Sequence, residues 1–93
     1  MQINNHWYVY IIRCCDNSLY TGITTDVLRR FNEHNAQGSK TAKYLRGKAP
    51  LKLVFQLQMT NKSQALKIEH KIKVLPKCKK EVLAAGMSRL INN

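Results

Sequence analysis

Apolar positions follow two rhythms along the chain. Residues 7 to 14 (WYVYIIRC) are aromatic and β-branched almost without interruption, and residues 18 to 23 (SLYTGI) return to that character after a polar break at Asp16 and Asn17. Such side chains suit a pleated surface and Asp and Asn suit turns, so the pattern predicts two strands joined by a turn. Thr24 or Thr25 is then a capping residue for a helix running to about Ala36, with Gly38 as its stop signal. Residues 39 to 50 (SKTAKYLRGKAP) hold at most a short helix, ended by Gly47 and Pro50. Residues 51 to 58 (LKLVFQLQ) alternate for most of their length and predict a third strand. Residues 60 to 75 form a capped amphipathic helix, Pro76 interrupts it, and KCKKEVLAAG makes a last helix ending at Gly86. The order is β-β-α-(α)-β-α-α, which predicts an α+β fold: a small three-stranded antiparallel sheet flanked by helices.

The chain has no repeat, linker or low-complexity segment. Its 93 residues, 44% of them hydrophobic, are expected to form a single domain over 1–93 around one modest core. The longest uncharged apolar run is about half a membrane crossing, and MQINNHWYVY has none of the parts of a secretory signal, so a cytoplasmic protein is expected. Cys14, Cys15 and Cys78 are an odd number without a C-x-x-C pair and read as reduced thiols. His6, His34 and His70 show no zinc-type spacing with them.

Charge changes the picture more. Sixteen Lys and Arg against five acids give a net charge of +11. That balance favours a polyanionic partner, above all nucleic acid. An anionic membrane is the weaker candidate, because no helix sets a large apolar face against a Lys/Arg face.

Three groups of residues have candidate chemistry. The first is the hairpin, where the register depends on the loop. A two- or four-residue turn puts Tyr10 and Tyr20 on opposite faces, whereas a three- or five-residue loop puts Tyr10, Ile12, Tyr20 and Gly22 on one face. Gly22 mildly favours the latter, since a strand glycine often marks a close approach. In the first helix, Val27, Leu28 and Phe31 make a narrow apolar stripe, with Arg30 and His34 one turn apart on its border. Ordinary surface ion pairs, Asp26 with Arg30 or Arg29 with Glu33, are the alternative use of that helix. In the helix from Thr60, Glu69 falls inside the apolar arc and is the only acid there. A carboxylate at a core edge needs a partner, either a lysine such as Lys73 or a metal ion, and Mg²⁺ suits sparse protein ligation. Between residues 38 and 48, Lys40, Lys43, Arg46 and Lys48 surround Tyr44, a grouping that suits a phosphate backbone with a base nearby. Lys77, Lys79 and Lys80 read as mostly solvated.

In this order, the features resemble the GIY-YIG nucleases. YVY at 8 to 10 looks like the first signature triplet, with Tyr8 in place of glycine, and YTG at 20 to 22 looks like the second. TDVLRRFNEHN resembles the helix that supplies an arginine, here Arg30, and a histidine, here His34. ALKIEHKIK resembles the helix whose glutamate, here Glu69, binds a single divalent metal. The likeness spans residues 7 to about 80 and is closest to the small stand-alone bacterial members. It implies a GIY-YIG fold and metal-dependent hydrolysis of nucleic-acid phosphodiester bonds with one Mg²⁺ or Mn²⁺ ion. Tyr10 is expected as general base or water-positioning phenolate, with Tyr20 orienting that water or the phosphate. Arg30 is expected to hold the phosphate with support from His34, and Glu69 to hold the metal. Gly22, Lys40, Lys43, Tyr44, Arg46 and Lys48 are the expected nucleic-acid contacts.

The expected partner is DNA ahead of RNA, in a branched, flapped or single-stranded form and in repair or recombination, with a protein partner as one source of specificity. The competing reading is a non-catalytic basic DNA/RNA-binding module. The five residues Tyr10, Tyr20, Arg30, His34 and Glu69 together favour the enzyme.

Overall fold

The computed structural model describes residues 6 to 86. Strands β1 (Trp7–Arg13), β2 (Leu19–Thr24) and β3 (Lys52–Met59) form an antiparallel sheet in the order β2-β1-β3. Three helices flank it: α1 (Val27–Asn35), α2 (Lys62–Lys73) and α3 (Lys77–Ala84). The short helix expected before Gly47 is a single 3-10 turn, Lys43–Leu45. The predicted α+β order therefore holds.

β1 lies at the centre, which is why its sequence is continuously apolar: both faces are covered. Val9 and Ile11 pack with Ala65, Ile72 and Leu83 of α2 and α3. Tyr10 and Ile12 pack on the other side with Val27, Phe31, Leu45 and Leu51. The β1–β3 register shifts between Ile11 (opposite Phe55) and Ile12 (opposite Leu53), so Val54 is an extra residue in β3. This bulge lets Phe55 face the α2 side while Leu53 turns to the α1 side.

The α1 cap differs from the expected Thr24 or Thr25. Thr24 stays in β2, and Asp26 caps the helix by accepting the Arg29 N–H at 3.1 Å. The carboxylate reaches the third helical N–H, whereas Thr24 Oγ1 accepts the Asp26 N–H at 3.1 Å to shape the approach. Asn61 caps α2 in the same way, accepting the Gln64 N–H at 2.9 Å. Leu28 also departs from the predicted stripe. It is 70% exposed, and the inward face of α1 consists of Val27, Phe31 and His34.

The hairpin loop has five residues, 14 to 18, between the paired Arg13 and Leu19. Asn17 adopts a left-handed φ of 71°, which asparagine tolerates better than most residues. Asp16 Oδ1 accepts from both the N–H and hydroxyl of Ser18, at 3.0 and 2.6 Å. The odd loop length sets the register: Tyr10 lies opposite Gly22 and Ile12 opposite Tyr20.

Candidate active site

The register puts Tyr10 and Tyr20 on one face, and their ring centroids are 6.3 Å apart. Gly22 makes this possible. A Cβ at Gly22 would lie 2.5 Å from the Tyr10 hydroxyl and 2.7 Å from Cζ, so the Tyr10 ring occupies the space of the missing side chain. The room at Gly22, expected to serve nucleic-acid approach, is thus taken by a catalytic candidate.

α1 brings His34 beneath the tyrosines. Its ring centroid is 6.0 Å from that of Tyr10 and 5.7 Å from that of Tyr20. The imidazole is fully buried and uses both nitrogens: Nδ1 accepts the Ala42 N–H at 3.1 Å, and Nε2 lies 2.9 Å from the Tyr10 oxygen. Burial, reinforced by the positive charge of Arg30, lowers its pKa from 6.5 to about 4. The ring is therefore neutral near pH 7. Because Nδ1 accepts, the single proton sits on Nε2 and is donated to Tyr10. Burial raises the Tyr10 phenol above its usual value of 10.0, and the Tyr20 and Glu69 charges add to this. The positive charge of Arg30 opposes the shift.

Arg30 is fixed from its own helix and from the following loop. It pairs with Glu33 at 3.0 Å and donates to the Lys40 carbonyl at 2.7 Å. The i,i+4 surface pairing of Arg29 with Glu33 is also present at 3.9 Å, whereas Asp26 reaches Arg29 at 4.0 Å rather than Arg30, which is turned to Glu33 instead. Glu69, on α2, has a side chain only 17% exposed, and its Oε2 lies 3.3 Å from Lys73 Nζ. It acts electrostatically on Tyr10 from the opposite layer.

The loop after α1 completes the surroundings. Tyr44 stacks on Tyr20 at 5.9 Å and 21°, and Lys48 Nζ lies 3.5 Å from the centre of the Tyr44 ring. The Lys48 carbonyl accepts the Cys15 N–H at 2.9 Å, which ties this loop to the hairpin. Arg46 is engaged with the carbonyls of Thr41 and Ser39, both at 3.4 Å. Lys40 and Lys43 are exposed. Of the candidates, Tyr10, Tyr20 and His34 are in contact, Arg30 acts on Tyr10 and His34 by its charge, and Glu69 pairs with Lys73 and acts on Tyr10 by its charge alone. Of the basic loop residues, Lys48 stands beside the tyrosines, Arg46 mainly braces the loop, and Lys40 and Lys43 face solvent.

Several residues of the site have no signal in the sequence. Thr41 is buried and donates to the Glu33 and His34 carbonyls at 2.9 and 3.2 Å. Gln37, at a left-handed φ of 58°, donates to the His34 and Leu45 carbonyls and accepts the Gly47 N–H at 2.7 Å. Both hold the loop that supplies the Ala42 N–H, and neither type marks catalysis in a sequence. Lys80, read as solvated, is half-buried and lines a cavity with Lys73 and Tyr20.

Residues 6–81 match the model of the GIY-YIG catalytic domain, and the chain belongs to the GIY-YIG family. Among its relatives, a UPF0213 protein of Vibrio cholerae is 52% identical over 90 residues, covering 96% of this chain and 87% of that protein. The UPF0213 protein YhbQ of Salmonella typhimurium is 56% identical over 77 residues, covering 83% of this chain and 75% of that one. The solution NMR structure of the UPF0213 protein BH0048 from Bacillus halodurans is similar with a TM-score of 0.55 and 44% identity, over 86% of this chain and 83% of that one. Membership implies nuclease activity on nucleic acid, and such nucleases generally depend on a divalent metal. No helix among the described residues is long and apolar enough to cross a membrane.

Proposed function

We propose that the chain is a Mg²⁺- or Mn²⁺-dependent endonuclease acting on branched, flapped or single-stranded DNA in the cytoplasm, in the service of repair or recombination. The convergence of Tyr10, Tyr20, Arg30 and His34 from one layer with Glu69 from the other carries this reading.

The site's chemistry favours exchanging the roles first assigned to the tyrosines. A general base must give up its proton readily near the working pH. Tyr10 is 2% exposed, its pKa is raised by burial, and its oxygen already accepts from His34. It is therefore suited to donating its own O–H outward, to a phosphate oxygen or to the attacking water. Tyr20 is half-exposed at a cavity wall and is the better base. In this scheme Tyr20 acts as its phenolate and takes a proton from water, the water oxygen attacks phosphorus, the bond to the leaving sugar oxygen breaks, and that oxygen takes up a proton from solvent. Arg30 neutralises charge on the phosphate. His34 positions Tyr10 and does not touch the phosphate.

Glu69 fits a divalent ion of the Mg²⁺ type. It is a single hard carboxylate, and no group of three or more His, Cys, Asp or Glu among the described residues could enclose a metal. That sparse ligation suits an ion that keeps water and phosphate oxygens as its other ligands. When bound, such an ion supplies Lewis-acid stabilisation of the charge developing on the phosphate and the leaving oxygen.

The test is cleavage of fork, flap, nicked and single-stranded DNA and of RNA with Mg²⁺ or Mn²⁺, alongside binding. Tyr20→Phe and Glu69→Ala should lower the cleavage rate by roughly 10²-fold or more with binding largely kept. Tyr10→Phe should lose less than Tyr20→Phe, and the reverse order would return the base role to Tyr10. Binding without metal-dependent cleavage on every substrate would instead mark a non-catalytic binding module.

A further inference from the structure

β2 is the outer strand of the sheet, and a cavity of about 310 Å³ opens beside it, lined by Leu19, Tyr20, Thr21, Tyr44, Lys73 and Lys80. Its walls come from both layers. Tyr20 and Tyr44 form an aromatic wall on the α1 side, while Lys73 of α2 and Lys80 of α3 close the other. Tyr44 is 46% exposed, unusual for a large aromatic, yet its ring is held by Tyr20 and by the Lys48 ammonium. The wall is thus set before any ligand arrives, which lowers the ordering cost of binding.

The cavity adjoins the reacting groups at two points. Tyr20 belongs both to this wall and to the tyrosine pair, and Lys73 is the ion-pair partner of Glu69. Its size lies at the lower end of small-ligand sites, room for one nucleotide rather than for a stacked base pair. An aromatic wall between ammonium groups suits a base with its phosphate and suits an acidic peptide poorly, since peptide carboxylates leave the rings unused.

We infer that this groove seats one unpaired nucleotide directly beside the scissile phosphate, so that the substrate must be single-stranded, or locally unpaired, at the cut. A base inside a duplex is stacked on both sides and must be extruded before it can meet such a wall. The inference rests on the nuclease reading for the word "scissile", whereas the seat itself is a matter of binding.

The test measures binding in EDTA, where no cleavage intervenes. It uses short single strands, the same sequence as a duplex, and a series of single strands with one abasic position each. Tyr44→Ala should weaken single-strand binding by about fivefold or more, the loss that corresponds to one base–aromatic stack, and leave duplex binding within about twofold. Lys80→Ala should weaken single-strand binding and lower its salt slope by about one. For the wild type, one abasic position should cost about as much as Tyr44→Ala, and the two losses should not add. The position dependence of the abasic series in the wild type needs no altered protein, so that part of the test stands even where Tyr44→Ala fails to fold. Equal losses for single strand and duplex, or an abasic series without any sensitive position, would overturn the seat. Strand-selective binding without cleavage of any substrate would overturn the nuclease reading and leave the seat intact. Cleavage inside a fully paired duplex at the single-strand rate would overturn the inference alone.

Discussion

His34 shows how one contact assigns several roles at once. The Ala42 N–H on Nδ1 forces the remaining proton to Nε2, toward Tyr10. Protonating the ring would break the Ala42 bond and bury a charge. With a folded pKa of about 4 against 6.5, the unfolded chain binds a proton between these values that the native chain does not. Stability should therefore be full above pH 6.5 and decline as pH falls toward 4, by about 3 kcal/mol in all. Urea unfolding midpoints measured across this window should show that slope in the wild type and a flatter one in His34→Gln; equal slopes would refute it. Gly22→Ala tests the neighbouring contact. The added methyl would meet the Tyr10 ring at 2.5 to 2.7 Å, so the ring must move off His34. We expect a loss of about 1–3 kcal/mol in stability and a fall in cleavage larger than that loss of folded protein explains. Tyr10, Tyr20, Arg30 and His34 were legible in the sequence as candidates mainly through the resemblance of their motifs to one family, since their spacings alone are weak signals. The Nδ1 bond was not, because it joins His34 to a backbone group eight residues on, through a loop with no regular period.

Among the elements, α3 depends visibly on one ion pair. Arg13, at the end of β1, donates to both oxygens of Glu81, at 2.8 and 2.5 Å, and also to Asn17 in the hairpin loop at 2.9 Å. This hydrogen bonding, with help from Lys77, holds the Glu81 carboxyl at about 2, below its usual 4.5. The sign follows: its stabilising contribution is present above pH 4.5 and is lost as pH falls toward 2. Glu81→Gln should remove that acid sensitivity and speed amide exchange in α3 relative to β1, as read by hydrogen exchange. Unchanged α3 protection would show that Leu83 packing alone docks the helix. The existence and order of all three helices were legible, since their caps and breakers are local. The Asp26 cap and the exposure of Leu28 were not. Each depends on where the preceding strand ends and on what the helix packs against.

At the level of the entire molecule, the charge of +11 predicts nucleic-acid binding that weakens steeply with salt. Lys40 and Lys43 are exposed. Replacing each by Ala should reduce the salt slope by about one while leaving strand preference unchanged. A slope unaffected by both would place the phosphate path elsewhere, along Lys73 and Lys80. Charge was readable from composition alone, but its direction was not. Lys80, which reads as solvated in the sequence, is a cavity wall only because the fold sets it beside Leu19, Tyr20 and Thr21 of β2.

The sequence alone established the strands, the helices, their order and the residue types available for chemistry, because period, capping and turn preference act over a few neighbours. It left open whether Tyr10 and Tyr20 share a face. The five-residue loop settled that, since a change of one residue would have turned one tyrosine away. It also left open what Gly22 makes room for, which atom carries the His34 proton, and that two layers meet in a groove beside β2. These are products of packing between segments far apart in the chain, where no local preference can specify the outcome.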